Sequence, residues 1–281
     1  MKILFSLTVH DFFPFLKEQI DNILKFNNDC IVLIHVNKER EITSEEQCIF
    51  DEILKDERII FNINRVVSYN YKVHLPQIAN VLFAKAIQYD YLVMLASNEM
   101  FFRRGCVDYI KKYDAGCGIN IATEMHDGMD CAIALKQFLN GHNVYNGQHE
   151  GTFYKKHIIE QVVDRILAFK AKEELHSLKG TVEEWVFQTA LHNLFKDIKI
   201  GYPITILRDR APGLLEADVE RGISKVEQFI AELRSNGEVN STYVLQTPIK
   251  SIFSIKRVSR NYGKDYHDAI NKFLKNLNPN I

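Results

Sequence analysis

Apolar and polar positions alternate between two periods along the first two-thirds of the chain. Lys2 to Val9 is a compact apolar run that predicts a strand, and Phe13 to Phe26 carries apolar residues at helical spacing. Cys30 to Val36 (CIVLIHV) is β-branched and uninterrupted, the pattern of a strand covered on both faces. Glu45 to Lys55 is a charged amphipathic helix, Arg58 to Ile63 a short strand, Leu75 to Gln88 helical in period, and Tyr91 to Leu95 (YLVML) again a buried strand. This β-α-β-α-β rhythm predicts an α/β fold, Rossmann-like, with a mostly parallel sheet flanked by helices on both sides.

The middle of the chain is less periodic. Glycines recur at 105, 116, 118, 128, 141, 147 and 151, a distribution that suits loops around a site more than a core. Helical patterning returns at Lys156 to Leu175 and Val182 to Leu194. A polar loop with Pro212 and Gly213 follows, then a helix through about Arg234. From Thr247 onward the chain turns basic, with Lys250, Lys256, Arg257, Arg260, Lys264, Lys272 and Lys275 against Asp265 and Asp268. With no repeat and no linker, the simplest division is one domain over residues 1–245 and a basic segment over 246–281.

Composition narrows the classes. At 281 residues and 46% apolar content the chain can bury a sizeable core, which argues against disorder. A formal charge of −1 leaves no overall basic field to attract nucleic acid, so any anion attraction is local. The five cysteines form no CxxC pair, which suggests neither a disulfide framework nor a zinc knuckle. MKILFSLTVHDFF reads as a first buried strand rather than a signal peptide, and no apolar stretch reaches the ~20 residues that span a bilayer. A reducing cytoplasm is the expected setting.

In parallel α/β sheets, ligands bind beyond the carboxyl ends of the strands. Three predicted strands end in polar groups there: Thr8-Val9-His10, His35-Val36-Asn37-Lys38 and Ser97-Asn98-Glu99. Neither GxGxxG nor GxxxxGK[ST] is present, so dinucleotide and P-loop sites are not supported. The histidines are dispersed without an HExxH, and Met125 to Asp130 is the densest polar patch. Glu183-Glu184 opens a helix, where carboxylates are favoured by the helix dipole. On the residues alone, that pair is either helix-start chemistry or a base turned into a site. The Lys250, Lys256, Arg257 and Arg260 cluster is likewise either a solvated basic face, an acidic-lipid contact, or an anion site.

Several segments, in order, resemble the core-2/I-branching β-1,6-N-acetylglucosaminyltransferase family and its bacterial relatives. Cys30 to Lys38 resembles that family's strand ending in IHVD-K, and Val67-Ser68-Tyr69 its Ser-Trp segment. Tyr89 to Phe102 (YDYLVMLASNEMFF) resembles a YDY-apolar-LSGxDxP stretch, and Glu150 to Tyr154 a Gly-Ser-x-x-Phe segment. Val182 to Ala190 (VEEWVFQTA) looks like PDE-x-x-W-x-T, and Phe253 to Arg257 (FSIKR) like F-A-x-K. Asn37 stands where the family has Asp, Tyr69 where it has Trp, and Ser97-Asn98-Glu99 where it has Gly-x-Asp, departures that bear on the donor.

The resemblance implies a glycosyltransferase A-type fold and an inverting, metal-independent transfer, with no cofactor beyond a nucleotide-sugar co-substrate, expected to be UDP-linked. By position, Glu184 takes the general-base role. Thr8, Val9, His10, Asn37, Val67 and Ser68 line the nucleotide, Glu99 lies near the donor sugar, and Lys256 faces the diphosphate with Arg257 or Lys250 as second cation. Glu124 and Trp185 face the acceptor. The expected function is transfer of a sugar, such as N-acetylglucosamine, to a hydroxyl of a surface-glycan acceptor, generally lipid-linked, by a bacterial cytoplasmic enzyme. The basic tail with Phe253, Tyr262, Tyr266 and Phe273 would give peripheral contact with the inner membrane surface. Two alternatives remain: a metal-dependent transferase of the same fold using Glu99, and a non-catalytic carbohydrate-binding subunit of a glycan assembly complex.

Overall fold

The computed structural model describes residues 1–9, 14–68, 72–97, 99–118, 120–121, 135, 143–168, 182–206, 238–239 and 247–256. In chain order the elements are β1 (Ile3–Val9), α1 (Pro14–Phe26), β2 (Cys30–Val36), α2 (Ser44–Ile53), β3 (Ile59–Phe61), α3 (His74–Ala84) and β4 (Tyr91–Ala96). Short elements follow: β5 (Glu99–Phe101), α4 (Cys106–Ile110), β6 (Ala115–Gly116), β7 (Asn120–Ile121), β8 (Tyr145–Asn146) and β9 (Phe153–Lys155). Next come α5 (Lys156–Leu167), α6 (Val182–Leu194), β10 (Ile200–Gly201), β11 (Thr205–Ile206), β12 (Glu238–Val239), β13 (Thr247–Pro248) and β14 (Ser254–Lys256).

Seven strands form one sheet in the order β10-β6-β9-β4-β1-β2-β3. β1 runs parallel to β2 and to β4, and β2 to β3, so the carboxyl ends Thr8, His35 and Ala96 stand side by side. β9 alone runs against its neighbours β4 and β6. The expected α/β fold with a mostly parallel sheet is therefore what the chain adopts. β1 lies between β2 and β4, and the strand order reverses there, which puts the switch point at the carboxyl ends of β1 and β4.

The continuous apolar runs of β1, β2 and β4 follow from burial on both faces. Ile3, Phe5, Leu7, Val32, Ile34, Val93 and Leu95 pack with α1, α2 and α4, while Leu4, Leu33, Leu92 and Met94 pack with α3, α5 and α6. α2 starts with a capping box, Thr43 with Glu46, which satisfies two helix-start amides. β3 is shorter than the predicted strand, and Asn62 just past it still donates its N–H to Ile34 O. The predicted helix to Leu175 is described through Leu167, and residues 169–175 lie outside the described residues.

On the α3 face the sheet turns polar toward its carboxyl end. Ser6 donates to Gln77 Oε1 at 2.6 Å, Asn80 Nδ2 donates to Ser6 Oγ at 2.9 Å, and Asn62 Nδ2 donates to Asn80 Oδ1 at 2.9 Å. Gln77 Nε2 also reaches Leu95 O at 3.3 Å, and Asn64 N–H bonds Asn62 Oδ1. All four side chains are fully buried, so each bond offsets a desolvation cost that would otherwise stand alone. The network fixes α3 against the site end of the sheet. Gln77→Leu strands Ser6 and Leu95 O, and is expected to lower unfolding stability by about 1–3 kcal/mol in urea titration; an unchanged midpoint would show that the network contributes nothing.

Candidate functional site

The carboxyl edge of the sheet carries two polar clusters. The first lies at the ends of β1 and β2. Asn37 N–H bonds Val9 O at 3.0 Å, and the Asn37 carboxamide oxygen accepts from Ser68 N–H at 3.1 Å. His35 Nε2 accepts from Val66 N–H at 2.9 Å, which places the imidazole proton on Nδ1. Arg65 clamps the same turn by donating to Asn37 O at 2.5 Å and to Arg40 O at 2.6 Å. The result is a fixed loop over 64–68 in which Ser68 is buried and Val67 half-buried. Two buried polar atoms there have no partner among the described residues: Thr8 Oγ1 and Asn37 Nδ2. Such atoms at a switch point mark where a polar ligand would repay their desolvation.

The second cluster gathers around the end of β4. Glu99 opens β5, antiparallel to β14, with Glu99 opposite Lys256. Its Oε1 accepts from Ala96 N–H at 2.7 Å, and its Oε2 accepts from Thr205 Oγ1 at 2.9 Å; Thr205 Oγ1 lies 2.7 Å from Ser254 Oγ. Burial pushes the Glu99 carboxyl up to about 8, with Lys256 opposing and Glu150 reinforcing the rise.

Because β9 runs against β4, the turn before β9 arrives at the same edge. Gly151 takes φ +69°, and a Cβ there would lie 2.2 Å from Thr205 Oγ1, so only glycine fits. Gly151 N–H bonds Met94 O, Ile204 N–H bonds Gly151 O, and Gln148 Nε2 bonds both Glu150 O and Thr205 O. This turn presents His149 and Glu150, and Glu150 forms an ion pair with Lys256. Burial alone would raise the Glu150 carboxyl, but Lys256, with His149, holds it below its ordinary range. Burial lowers His149 to about 4, so its ring is neutral.

α6 completes the cluster. Its backbone is docked by Gly147 N–H on Glu184 O at 2.9 Å and by Gln188 Nε2 on Gln148 O at 3.3 Å. Glu184 is 8% exposed, and Glu183, one residue earlier, is half-buried with its Oε2 enclosed and without a partner among the described residues. Burial raises Glu183 to about 8, and the carboxylates of Glu184 and Glu150 add to the rise while Lys256 counters it. These mutual effects put Glu150, Glu183, Glu184 and Lys256 within electrostatic reach of one another.

The remaining predicted site residues fall elsewhere. Val9 is buried, its side chain in the core on the α1 face. Trp185 is 1% exposed, its ring within the core beneath α3 and α5 rather than at the surface. Lys250 is exposed on a 3-10 turn, Ile249–Ser251. His10, Tyr69, Asn98, Glu124 and Arg257 lie outside the described residues, as do the patch at Met125 to Asp130 and the tail from 257 on. His149 and Glu150 are cluster members that the sequence reading gave no role, and Glu183 entered it only as one of the helix-start pair with Glu184. Among the described residues, no group of three metal-ligating side chains forms a metal cluster. A cleft of about 650 Å³ lined by Tyr89, Tyr91, Lys155, Lys156 and Glu160 lies at the opposite, amino edge of β1 and β4, away from both clusters.

No family model matches the chain, and no curated protein does. Among solved structures it is similar to the galactosyltransferase LgtC, solved in complex with donor and acceptor sugar analogs, at 12% identity and a TM-score of 0.47, covering 99% of this chain and 95% of that one. It is also similar to the glycosyltransferase GlyE of Streptococcus pneumoniae TIGR4, at 11% identity and a TM-score of 0.43, spanning 99% of this chain and 60% of GlyE. A 4-diphosphocytidyl-2C-methyl-D-erythritol synthase from Anaerococcus prevotii matches 71% of this chain and 85% of its own at 13% identity and a TM-score of 0.41. With every one of these TM-scores below 0.5, the functional reading rests on the chain's own residues.

Between its ordinary 4.5 and about 8, folded Glu99 keeps a proton that the unfolded chain has released. Stability is therefore fully present below the lower value and declines as pH rises through the upper one. Glu183 adds to the same decline. The thermal midpoint is expected to fall from about pH 5 to about pH 9, and Glu99→Gln, which keeps an oxygen for Ala96 and turns an amide donor to Thr205 Oγ1 while that hydroxyl donates to Ser254, should flatten that fall. An equal slope in the variant would show Glu99 to be ionised throughout.

Proposed function

We propose that the chain is an inverting, metal-independent glycosyltransferase that moves a sugar, N-acetylglucosamine on the resemblance, from a UDP-linked donor to a hydroxyl of a surface-glycan acceptor. The observation that carries this reading is that the 147–150 turn, at the carboxyl edge of β4, joins the segments of Glu184 and Lys256, with Gly147 N–H on Glu184 O and Glu150 in an ion pair with Lys256. The sequence resemblance assigns the base and the diphosphate cation to these two segments, which stand more than sixty residues apart, and the fold makes them neighbours.

In this reading the nucleotide occupies the ends of β1 and β2, where Asn37 Nδ2 and Thr8 Oγ1 await partners. The acceptor hydroxyl oxygen attacks the anomeric carbon as the bond from that carbon to the diphosphate oxygen breaks. The hydroxyl proton passes to the Glu184 carboxylate, and the Lys256 ammonium offsets the charge that develops on the departing diphosphate. Single displacement inverts the anomeric centre. Both Glu99 oxygens are already engaged with Ala96 and Thr205, which favours this route over one in which Glu99 ligates a cation. Glu124, Arg257 and Lys250 keep their proposed acceptor and diphosphate roles, and the tail its proposed membrane contact. Among the described residues no helix is long and apolar enough to cross a membrane.

Glu184→Gln is expected to lower kcat by on the order of 100-fold or more with nucleotide affinity nearly unchanged; an unaltered kcat would remove Glu184 from the role. Thermal shifts with UDP, GDP, CMP and dTDP, each with manganese and with EDTA, test the donor. Stabilisation by one nucleotide that persists in EDTA is the expected result, since a ligand held only by the folded state raises its midpoint. A shift confined to manganese would overturn the metal-independent route, and glycan affinity without any nucleotide shift would favour a non-catalytic carbohydrate-binding subunit.

A further inference from the structure

We infer that Glu150 is the positioning residue for Lys256: it holds the ammonium at the site edge in the orientation that receives a diphosphate. This inference rests on the reading of Lys256 as the diphosphate cation and assigns a residue to which the sequence pattern gives no role.

Lys256 is the last residue of β14, the middle strand of a three-stranded sheet; it pairs with Glu99 of β5, and Ser254 and Ile255 just before it pair with β11. Its side chain is not fixed by that pairing, because a lysine stem has four rotatable carbons. The neighbouring carboxyl across the strand, Glu99, is committed to Ala96 and Thr205. Glu150 supplies the counter-charge, and it is anchored where Lys256 is loose. Its turn is tied to Met94 O, to Ile204 N–H and through Gln148 to Thr205 O, with Gly151 in the left-handed region. A stiff carboxylate thus holds a supple cation.

The pair lies at the surface of the cluster, with side-chain exposures of 18% for Lys256 and 10% for Glu150. An ammonium carries three protons, and one bond to Glu150 leaves two to face a ligand. Glu99 and Glu183, both raised to about 8, and the neutral His149 add little negative charge near neutral pH, which leaves Glu184, the proposed base, as the other carboxylate of the cluster. Glu150 is therefore matched by Lys256, and the anion site is not swamped by its own carboxylates. Without Glu150 the ammonium would swing toward water or toward Glu183 and Glu184, away from the leaving group.

The test is a double-mutant cycle on the full chain with Glu150→Gln, Lys256→Ala and the two combined. Affinities for UDP, GDP and dTDP, and for the nucleosides uridine, guanosine and thymidine, are measured by calorimetry at neutral pH. Glu150→Gln and Lys256→Ala are each expected to weaken the bound diphosphate by about tenfold, the double variant no more than Lys256→Ala, and nucleoside binding is expected to hold. A purely structural role would weaken nucleoside and diphosphate together. Diphosphate affinity unchanged or tightened by Glu150→Gln, or losses that multiply in the double variant, would overturn the positioning role while leaving Lys256 in place. Unchanged affinity in Lys256→Ala, or no binding of any diphosphate by the parent chain, would instead overturn the reading on which it rests. Where Glu150→Gln folds poorly, Glu150→Asp keeps the charge on a shorter stem and is expected to retain part of the affinity that Glu150→Ala loses.

Discussion

Three stretches of chain far apart in sequence close on the carboxyl of Glu99. One oxygen takes the Ala96 amide just past the main sheet, and the other takes the Thr205 hydroxyl, which continues to Ser254 on β14. That carboxyl therefore joins the seven-stranded sheet to the three-stranded one. Lys256 follows Ser254 by two residues, and Gly151 packs directly on Thr205, so the ion pair of Lys256 with Glu150 is assembled from parts that Glu99 aligns. A buried acid with both oxygens used is a structural device here, and its raised proton affinity is the consequence of that burial.

The same burial sorts four carboxyls into different states. Glu99 and Glu183 are raised to about 8, while Glu150, beside Lys256, is held low. Four ionised carboxylates crowded around one ammonium would repel any phosphate. Two of them kept neutral reduce that crowding around the ion pair of Glu150 and Lys256. Separate proton affinities for neighbouring acids are how one site holds both a charge pair and an acid–base group.

Legibility in the sequence followed length and locality. β1, β2 and β4 showed as unbroken apolar runs because each spans six or seven residues with both faces covered. β5, β9, β11 and β14 have two or three residues apiece, too short for any period, and Glu99 consequently read as a polar strand end rather than as the start of a buried strand. Asn37 was visible because a polar residue caps an apolar run. Glu150 was not, since its partner lies 106 positions away and its placement depends on the left-handed turn at Gly151. Trp185 illustrates the reverse: the resemblance placed it facing the acceptor by position, whereas its ring is 1% exposed and lies in the core with the apolar face of α6. The order of the motifs brought out Glu184 and Lys256, which no spacing rule would have joined.

The two clusters are held by different physics, a division that suits the proposed transfer. At the ends of β1 and β2 the loop over 64–68 is pinned by hydrogen bonds and the Arg65 clamp, and Asn37 Nδ2 and Thr8 Oγ1 have no partner among the described residues. At the end of β4 the groups are charged or poised to be, and their interactions shift when a proton or a phosphate arrives. A nucleotide needs a rigid cradle that does not respond to the reaction, whereas a departing diphosphate and a deprotonated hydroxyl need groups whose charge is already arranged for them. The antiparallel β9 makes this division possible. By running against β4 it returns the 148–151 turn to the carboxyl edge, so one edge of the sheet carries both the neutral cluster and the charged one.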